Sequence, residues 1–516
     1  MANIRLFRSG RNRAPAADAV NSEGSPAYSM SAEHSLAQYA LTGCLNGTFY
    51  ASATTQLETI LELCANVPAE FIAKTAIYAR KEGYMKDVPA LLCAILTQRD
   101  QKLLAKTFIR VIDNGRMLRS WVQIIRSGQI GRKSLGSGPR RLVRTWLESR
   151  TGEELFKDSV GRSPSIADIL RMTHPTPSSK EKAAMYGYLL GRTVDLSFLP
   201  DSVREYENFK AGRSKKVPRV AFQKLTALEL DQKAWKEIAL SASWQTLRMN
   251  LNTFGRHGVF SDKESVSRAA ERLRDPQEIA RARVFPYQLL AAFRETSGVP
   301  LEIREALQDA METATANVPE IEGQIYICPD VSGSMASPVT GSRKGASTKV
   351  RCVDAAALMT AAIVRKNSQA AVIPFEDRIR LLDLNPRDSV MTNATKLAAI
   401  GGGGTNVSAP LAMLNKKKAV GHLVVIVSDN QSWVDSRAAR EGTRLMEEWN
   451  IFHRRNPGAK LVCIDIQPNR NTQAQERADI LNVGGFSDQV FRIISGFAKG
   501  QLSSEHWVRE VKRVEL

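Results

Sequence analysis

Asp330, Ser332 and Ser334 stand at alternate positions directly after a short apolar run. One carboxylate and two hydroxyls at that spacing can converge on a hard divalent cation, which takes oxygen ligands. The run before them, Ile325-Tyr326-Ile327, is β-branched and aromatic, as a buried central strand would be, and Pro329 stops its ladder. Asp, Ser and Gly also make ordinary turns, so the motif gains meaning only from residues further along the chain. Gly401-Gly402-Gly403-Gly404 is a permissive loop that can bring the Thr405 hydroxyl to the same ion. A second apolar run, Leu423 to Val427, ends in Ser428-Asp429 and puts another carboxylate at a strand terminus. Asp330, Ser332, Ser334, Thr405 and Asp429 are therefore the candidate ligands of one divalent cation, Mg2+ by its tolerance of few protein charges and retained water. Such an ion is open on one side, where an incoming carboxylate or phosphate completes its shell. The chemistry is recognition. Both serines serve better as ligands than as nucleophiles, and no histidine lies nearby in sequence.

The elements that would position these loops alternate between strand and helix. Strands are expected at Ala370–Phe375, Leu423–Val427, Leu461–Ile466 and Val490–Ile494, with a helix after Lys349 and another over Arg437–Arg454. That alternation implies a doubly wound parallel sheet with the metal loops at its carboxyl edge. Lys416-Lys417-Lys418 reads as a solvated helix cap, because cations favour a helix C-terminus.

With 516 residues the chain has room for two or more domains. Its formal net charge of +19 favours a polyanionic partner, and roughly two thirds of the excess lies before residue 319. The six cysteines are scattered without a C-x-x-C pair, which suggests buried free thiols rather than a zinc site. No secretory signal begins the sequence and no apolar run approaches a membrane span, so a cytoplasmic protein without membrane association is expected.

Before residue 319 the pattern is helical. Residues 1–28 form a basic arm with Arg5, Arg8, Arg11 and Arg13. Leu57, Ile60, Leu61 and Cys64 share a helix face behind a Thr55-x-x-Glu58 capping box. Helices then come at Phe71–Glu82 and from Asp87-Val88-Pro89 onward, a succession of short-linked pairs that suggests an α-solenoid of the HEAT type. Lys133 lies in a glycine-containing loop leading into Arg140, Arg141 and Arg144, of which Arg140 and Arg144 sit one turn apart and away from Leu142, Val143, Trp146 and Leu147. Lys157, Arg171 and His174 come next, then Arg213, Lys215 and Lys216 in an exposed connection, then Arg248, Arg281 and Arg283. Arginine and lysine in such loops suit phosphate contacts, although a solvated helix face or a carbonyl-capping histidine explains any one of them as well.

The order of pieces resembles a known family. Leu36-Ala37-Gln38-Tyr39-Ala40, Gly47-Thr48-Phe49-Tyr50, the helix ending in Trp146, Leu170-Arg171-Met172-Thr173-His174-Pro175 and Arg281-Ala282-Arg283-Val284-Phe285-Pro286 are similar to a TROVE module. Asp330-Val331-Ser332-Gly333-Ser334-Met335 and Ser428-Asp429-Asn430-Gln431-Ser432-Trp433 look like the metal-ion-dependent adhesion site of a von Willebrand factor A domain. Together they resemble the Ro autoantigen family and its bacterial members. The resemblance implies a ring-like HEAT-type α-solenoid over residues 29–318, closed by a doubly wound von Willebrand factor A domain over 319–516. It further implies that small structured Y-like RNA binds a basic outer surface, with Arg171, His174 and Lys157 in that region. Single-stranded 3′ ends of misfolded RNA would enter a central hole. An exoribonuclease such as polynucleotide phosphorylase would be tethered through the Y RNA to a monomeric, non-catalytic scaffold of RNA quality control. The alternative is a metal-dependent adhesion module that captures an acidic protein. A nuclease is disfavoured, because two-metal chemistry needs clustered carboxylates and here two aspartates are spread among hydroxyls.

Overall fold

The computed structural model describes residues 14–43, 45–284, 286–296, 298–315, 318–342, 350–432, 442–485, 488–500 and 506–516. The arm residues Arg5, Arg8, Arg11 and Arg13, together with Cys44, Phe285, Lys349, Trp433 and the stretch 437–441, lie outside them.

Among the described residues the strands are β1 (Ala19–Val20), β2 (Pro26–Ser29), β3 (Ile325–Pro329), β4 (Ala371–Val372), β5 (Leu423–Ser428), β6 (Lys460–Asp465), β7 (Asn471–Thr472) and β8 (Ile480–Gly484). Five of them form one sheet in the order β4-β3-β5-β6-β8, with every pair parallel. Strand β5, Leu-Val-Val-Ile-Val-Ser, is buried at all six positions, as a central strand covered on both faces must be. The chain leaves β3 for β4 on one side and returns to β5 on the other, so the strand order reverses beside β3. Crevices outside the carboxyl ends at such a switch point hold ligands in open α/β sheets. Trp449 and Phe452 of helix Arg444–Arg455 pack against Cys328, Val424, Ile426 and Leu461. Burying a side chain of that size contributes roughly 2–3 kcal/mol. Helix Cys352–Lys366 comes after the first metal loop and is buried from Cys352 through Val364.

The expected strand at Val490–Ile494 is instead part of helix Asp488–Ala498. Val490, Ile493, Ile494 and Phe497 recur at helical spacing, and all four are buried. The fifth strand of the sheet is β8, where Ile480, Leu481 and Val483 pair with β6. At Ala370–Phe375 the ladder shortens to Ala371–Val372, with an isolated bridge joining Phe375 to Asp330.

Compact units divide the chain at other places than the composition suggests. Among the described residues, one unit holds those within 1–66, 285–291 and 311–513, and the other those within 67–284, 292–310 and 514–516. In the first, β1 and β2 form a hairpin whose second strand pairs with β7. Helix Ala32–Thr42 lies on β8, where Gly484 leaves room for it: a Cβ there would stand 2.8 Å from Gln38 Cγ. Helix Ala53–Ala65 starts one turn before the expected capping box, because Ser52 accepts from the Thr55 amide at 3.0 Å.

The second unit is helical throughout. Ala69–Lys81, Asp87–Arg99, Gln101–Val111, Gly115–Arg126 and Ser137–Ser149 each pack on helices one to three places away in sequence, the pattern of a helical-repeat array. Phe108 meets Trp121 edge to face at 4.9 Å between centroids, and the Trp146 indole donates to the Ile112 carbonyl at 2.7 Å. Arg80 forms a two-pronged pair with Asp113, its Nη2 2.8 Å from Oδ1.

Candidate functional site

The loop after β3 is built by its first residue. Asp330 Oδ1 accepts from the Ser332 amide at 2.8 Å, and Oδ2 accepts from Ser428 Oγ at 2.6 Å. Ser332 Oγ and Ser334 Oγ lie 3.2 Å apart, so both hydroxyls point into one space. The glycine run then docks on this loop: Gly333 donates to the Gly403 carbonyl at 3.0 Å, and Gly402 to the Val331 carbonyl at 3.2 Å. Gly403 is at φ 82°, and the Glu376 carboxylate occupies the place a Cβ would need. Thr405 is thereby carried to the same edge, where Ser432 Oγ donates to its carbonyl at 3.4 Å.

Asp429 arrives from the end of β5. It is 1% exposed, and neither Oδ1 nor Oδ2 accepts a hydrogen bond from the described protein. An orphaned, buried carboxylate facing hydroxyls fits a cation in that space. Burial pushes the Asp429 carboxyl well above the ordinary carboxylate range, the Asp330 charge adds to this, and the nearby Ser334 hydroxyl and Gln431 amide offset part of it. Burial likewise raises Asp330, against its bonds from Ser428 and Ser332. No cluster of three or more His, Cys, Asp or Glu occurs among the described residues, which leaves a two-carboxylate set completed by hydroxyls.

The five candidate ligands therefore occupy adjoining loops at one sheet edge. Composition around them gave no sign of Asp465, at the end of β6. It is fully buried, receives bonds from Gln38 and Asn430, and is raised mainly by that burial and by the Asp429 charge. A carboxylate ending a third parallel strand is the signal that marks it.

Most of the candidate phosphate-binding residues lie on the surface of the helical unit. Lys133, Arg140, Arg141, Arg144, Lys157, Arg171, His174, Arg213, Lys215, Lys216, Arg281 and Arg283 are all exposed. Arg248 is not: it is 7% exposed, and its Nη2 donates to Gln245 Oε1 at 2.9 Å. The helix Trp244–Met249 turns that face inward, so Arg248 acts in packing. Three of the others come together at one helix end. Arg144 Nε donates to the Thr173 carbonyl at 2.6 Å, next to His174, which closes helix Ile166–Thr173 at φ 48°. Arg171 on the same helix pairs with Asp168 at 3.1 Å. Arg283 sits over the Tyr84 ring at 5.6 Å and is also in the left-handed region, at φ 47°.

The fold and this loop set define the class: a helical-repeat unit in one chain with a von Willebrand factor A domain. Residues 324–498 match the Ro60 vWA domain model. The chain is 25% identical over 521 residues to RNA-binding protein RO60 of Deinococcus radiodurans, covering 93% of this chain and 95% of that protein. It is 22% identical over 253 residues to RNA-binding protein RO60 of Caenorhabditis elegans, covering 47% of this chain and 38% of that one. The crystal structure of the D. radiodurans RO (RSR) protein shares the fold, with a TM-score of 0.61 at 22% identity over 92% of this chain and 100% of that one. The chain is thus similar to the Ro proteins over nearly its whole length and shares their fold. No described helix is long and apolar enough to cross a membrane.

Proposed function

We propose that this protein binds RNA through its helical unit and has no catalytic activity of its own. The observation that carries this is the exposed basic surface. Residues 101–150 alone hold twelve Lys and Arg against two Asp and Glu. Among the described residues, Lys102, Lys106, Arg116, Arg126, Lys133, Arg140, Arg141 and Arg144 in that stretch are exposed. A cluster of that kind supplies counterion-release affinity for a phosphate backbone. The names of the relatives support the same class of ligand.

In the finer reading, a small structured Y-like RNA lies on the basic outer surface, with Arg144, Arg171 and His174 contributing at one helix end. Single-stranded 3′ ends of misfolded RNA enter a central hole. The protein then presents RNA to an exoribonuclease such as polynucleotide phosphorylase. The divalent cation, Mg2+, belongs to Asp330, Ser332, Ser334, Thr405 and Asp429; when bound it supplies one electrophilic centre, and the chain's hydroxyls and carboxylates hold it. In this reading residues 319–516 are the von Willebrand factor A domain, 29–318 the RNA-binding module and 1–28 a basic arm.

The test is binding of one hairpin RNA, with and without a 3′ single-stranded tail, at two salt concentrations. Salt-sensitive binding that gains from the tail supports the proposal. Binding indifferent to both salt and tail refutes it, and favours an acidic protein as the partner of the metal loops.

A further inference from the structure

Two stretches from early in the chain lie on the loops that carry the candidate metal ligands. Gly47 and Ser342 exchange backbone hydrogen bonds of 3.2 and 2.6 Å, and the Asn46 side-chain amide donates to the Thr340 carbonyl at 2.7 Å. The approach is tight: Gly341 has φ 71°, and a Cβ on it would stand 2.7 Å from Asn46 Cβ. Residues 46–50 are thus held against the chain that leaves Ser332 and Ser334. From another direction the β1–β2 hairpin reaches the loop after Asp429. Asn21 Nδ2 donates to the Ser432 carbonyl at 2.6 Å, and the Ser22 amide to Gln431 Oε1 at 2.8 Å.

Tyr50 stands where these two contacts meet. Its hydroxyl faces the Ser334 hydroxyl, the Glu23 carboxylate at the hairpin turn and the charge on Asp429. Its ring is half-buried and packs edge to face on Phe49 at 4.8 Å between centroids. Asp330, Ser332, Ser334, Thr405 and Asp429 are 0, 3, 6, 4 and 1% exposed. The candidate ligand set thus lies below the surface, with the Tyr50 hydroxyl set against its Ser334 side.

We infer that Tyr50, braced by Glu23, closes the outward side of the divalent-cation site, so that the ion fastens the N-terminal segment to the α/β core rather than receiving a partner's acid. The inference rests on the metal-site reading above. Tyr50 is a positioning residue that decides what the ion accepts.

The experiment uses full-length protein and Mn2+ as a paramagnetic probe. Mn2+ binding is followed by electron paramagnetic resonance, and access to the bound ion by water-proton relaxation during titration with acetate. Wild type is expected to bind Mn2+ with weak relaxation enhancement and no response to acetate. Tyr50→Ala should keep the ion, raise the relaxation and take acetate about tenfold more tightly, because the competent open form no longer has to be selected. Tyr50→Phe should fall between, and thermal melts report whether each variant is folded. Equal relaxation and equal acetate response in wild type and Tyr50→Ala would overturn the inference while leaving the metal site intact. Failure of wild type to bind Mn2+ at all, matching Asp330→Ala, would overturn the metal-site reading and this inference with it. Independently of the variants, chymotrypsin should cut at Tyr28, Tyr39 and Phe49 more slowly in Mg2+ than in chelator, and an unchanged rate would also count against the fastening.

Discussion

Arg140→Ala with Arg141→Ala tests the RNA surface with the least damage to the fold. Both side chains are exposed on helix Ser137–Ser149, whose inward positions are Pro139, Val143, Trp146 and Leu147. Alanine is the best helix former, so the helix should persist. Arg144 is left alone because its head group holds the Thr173 carbonyl, and removing it would mix a stability loss with the binding loss. If each guanidinium neutralises one phosphate of a duplex segment, the slope of log K against log salt should fall by about 1.8 in magnitude. At about 0.15 M salt that difference corresponds to a loss of roughly 30-fold in affinity, or about 2 kcal/mol. The assay is fluorescence anisotropy of a labelled hairpin RNA from low to high KCl, with a melting curve to confirm equal folding. An unchanged slope and affinity in a folded double variant would refute the assignment of this helix to the RNA surface.

Other outcomes rest on the same geometry. Arg171→Ala with His174→Ala should weaken hairpin RNA by several-fold while leaving the melting temperature nearly unchanged, since the Arg171–Asp168 pair is exposed and worth at most about 1 kcal/mol; equal affinity would remove these residues from the interface. Because Asp330 and Asp429 are raised, the folded protein without metal holds more protons than the unfolded chain above the ordinary carboxylate range. Stability without divalent ions should therefore fall as pH rises through that window, and stabilisation by Mg2+ should grow between about pH 5.5 and 8. Melting curves with Mg2+ and with chelator at both pH values check this, and a pH-independent gap would contradict it. Trp146→Phe removes the donor to the Ile112 carbonyl and should cost about 1–3 kcal/mol by denaturant unfolding. A cost near zero would mean that the carbonyl finds another donor.

The sequence by itself determined the elements whose signal is local. Runs of β-branched residues located β3, β5 and β6, and the alternate spacing of Asp330, Ser332 and Ser334 placed three candidate ligands on one loop. Helical periodicity located Asp87–Arg99 and the basic helix ending near Trp146. Short apolar runs were ambiguous. Val490–Ile494 fits a strand in isolation and becomes helical because Phe497 extends its buried stripe, whereas Ile480–Val483 becomes a strand only because β6 is there to pair with it. Arg248 could not be placed from its own helix either, since which face turns inward depends on what packs against it. Tertiary structure alone decided that Asp465 ends up beside Asp429, that Asp429 keeps two oxygens without donors, and that Tyr50 and Glu23 come to lie at loops about three hundred residues or more away in the chain. The physical reason is that spacing fixes which side chains share a loop or a face, while burial, desolvation and long-range pairing exist only after separate segments have packed together.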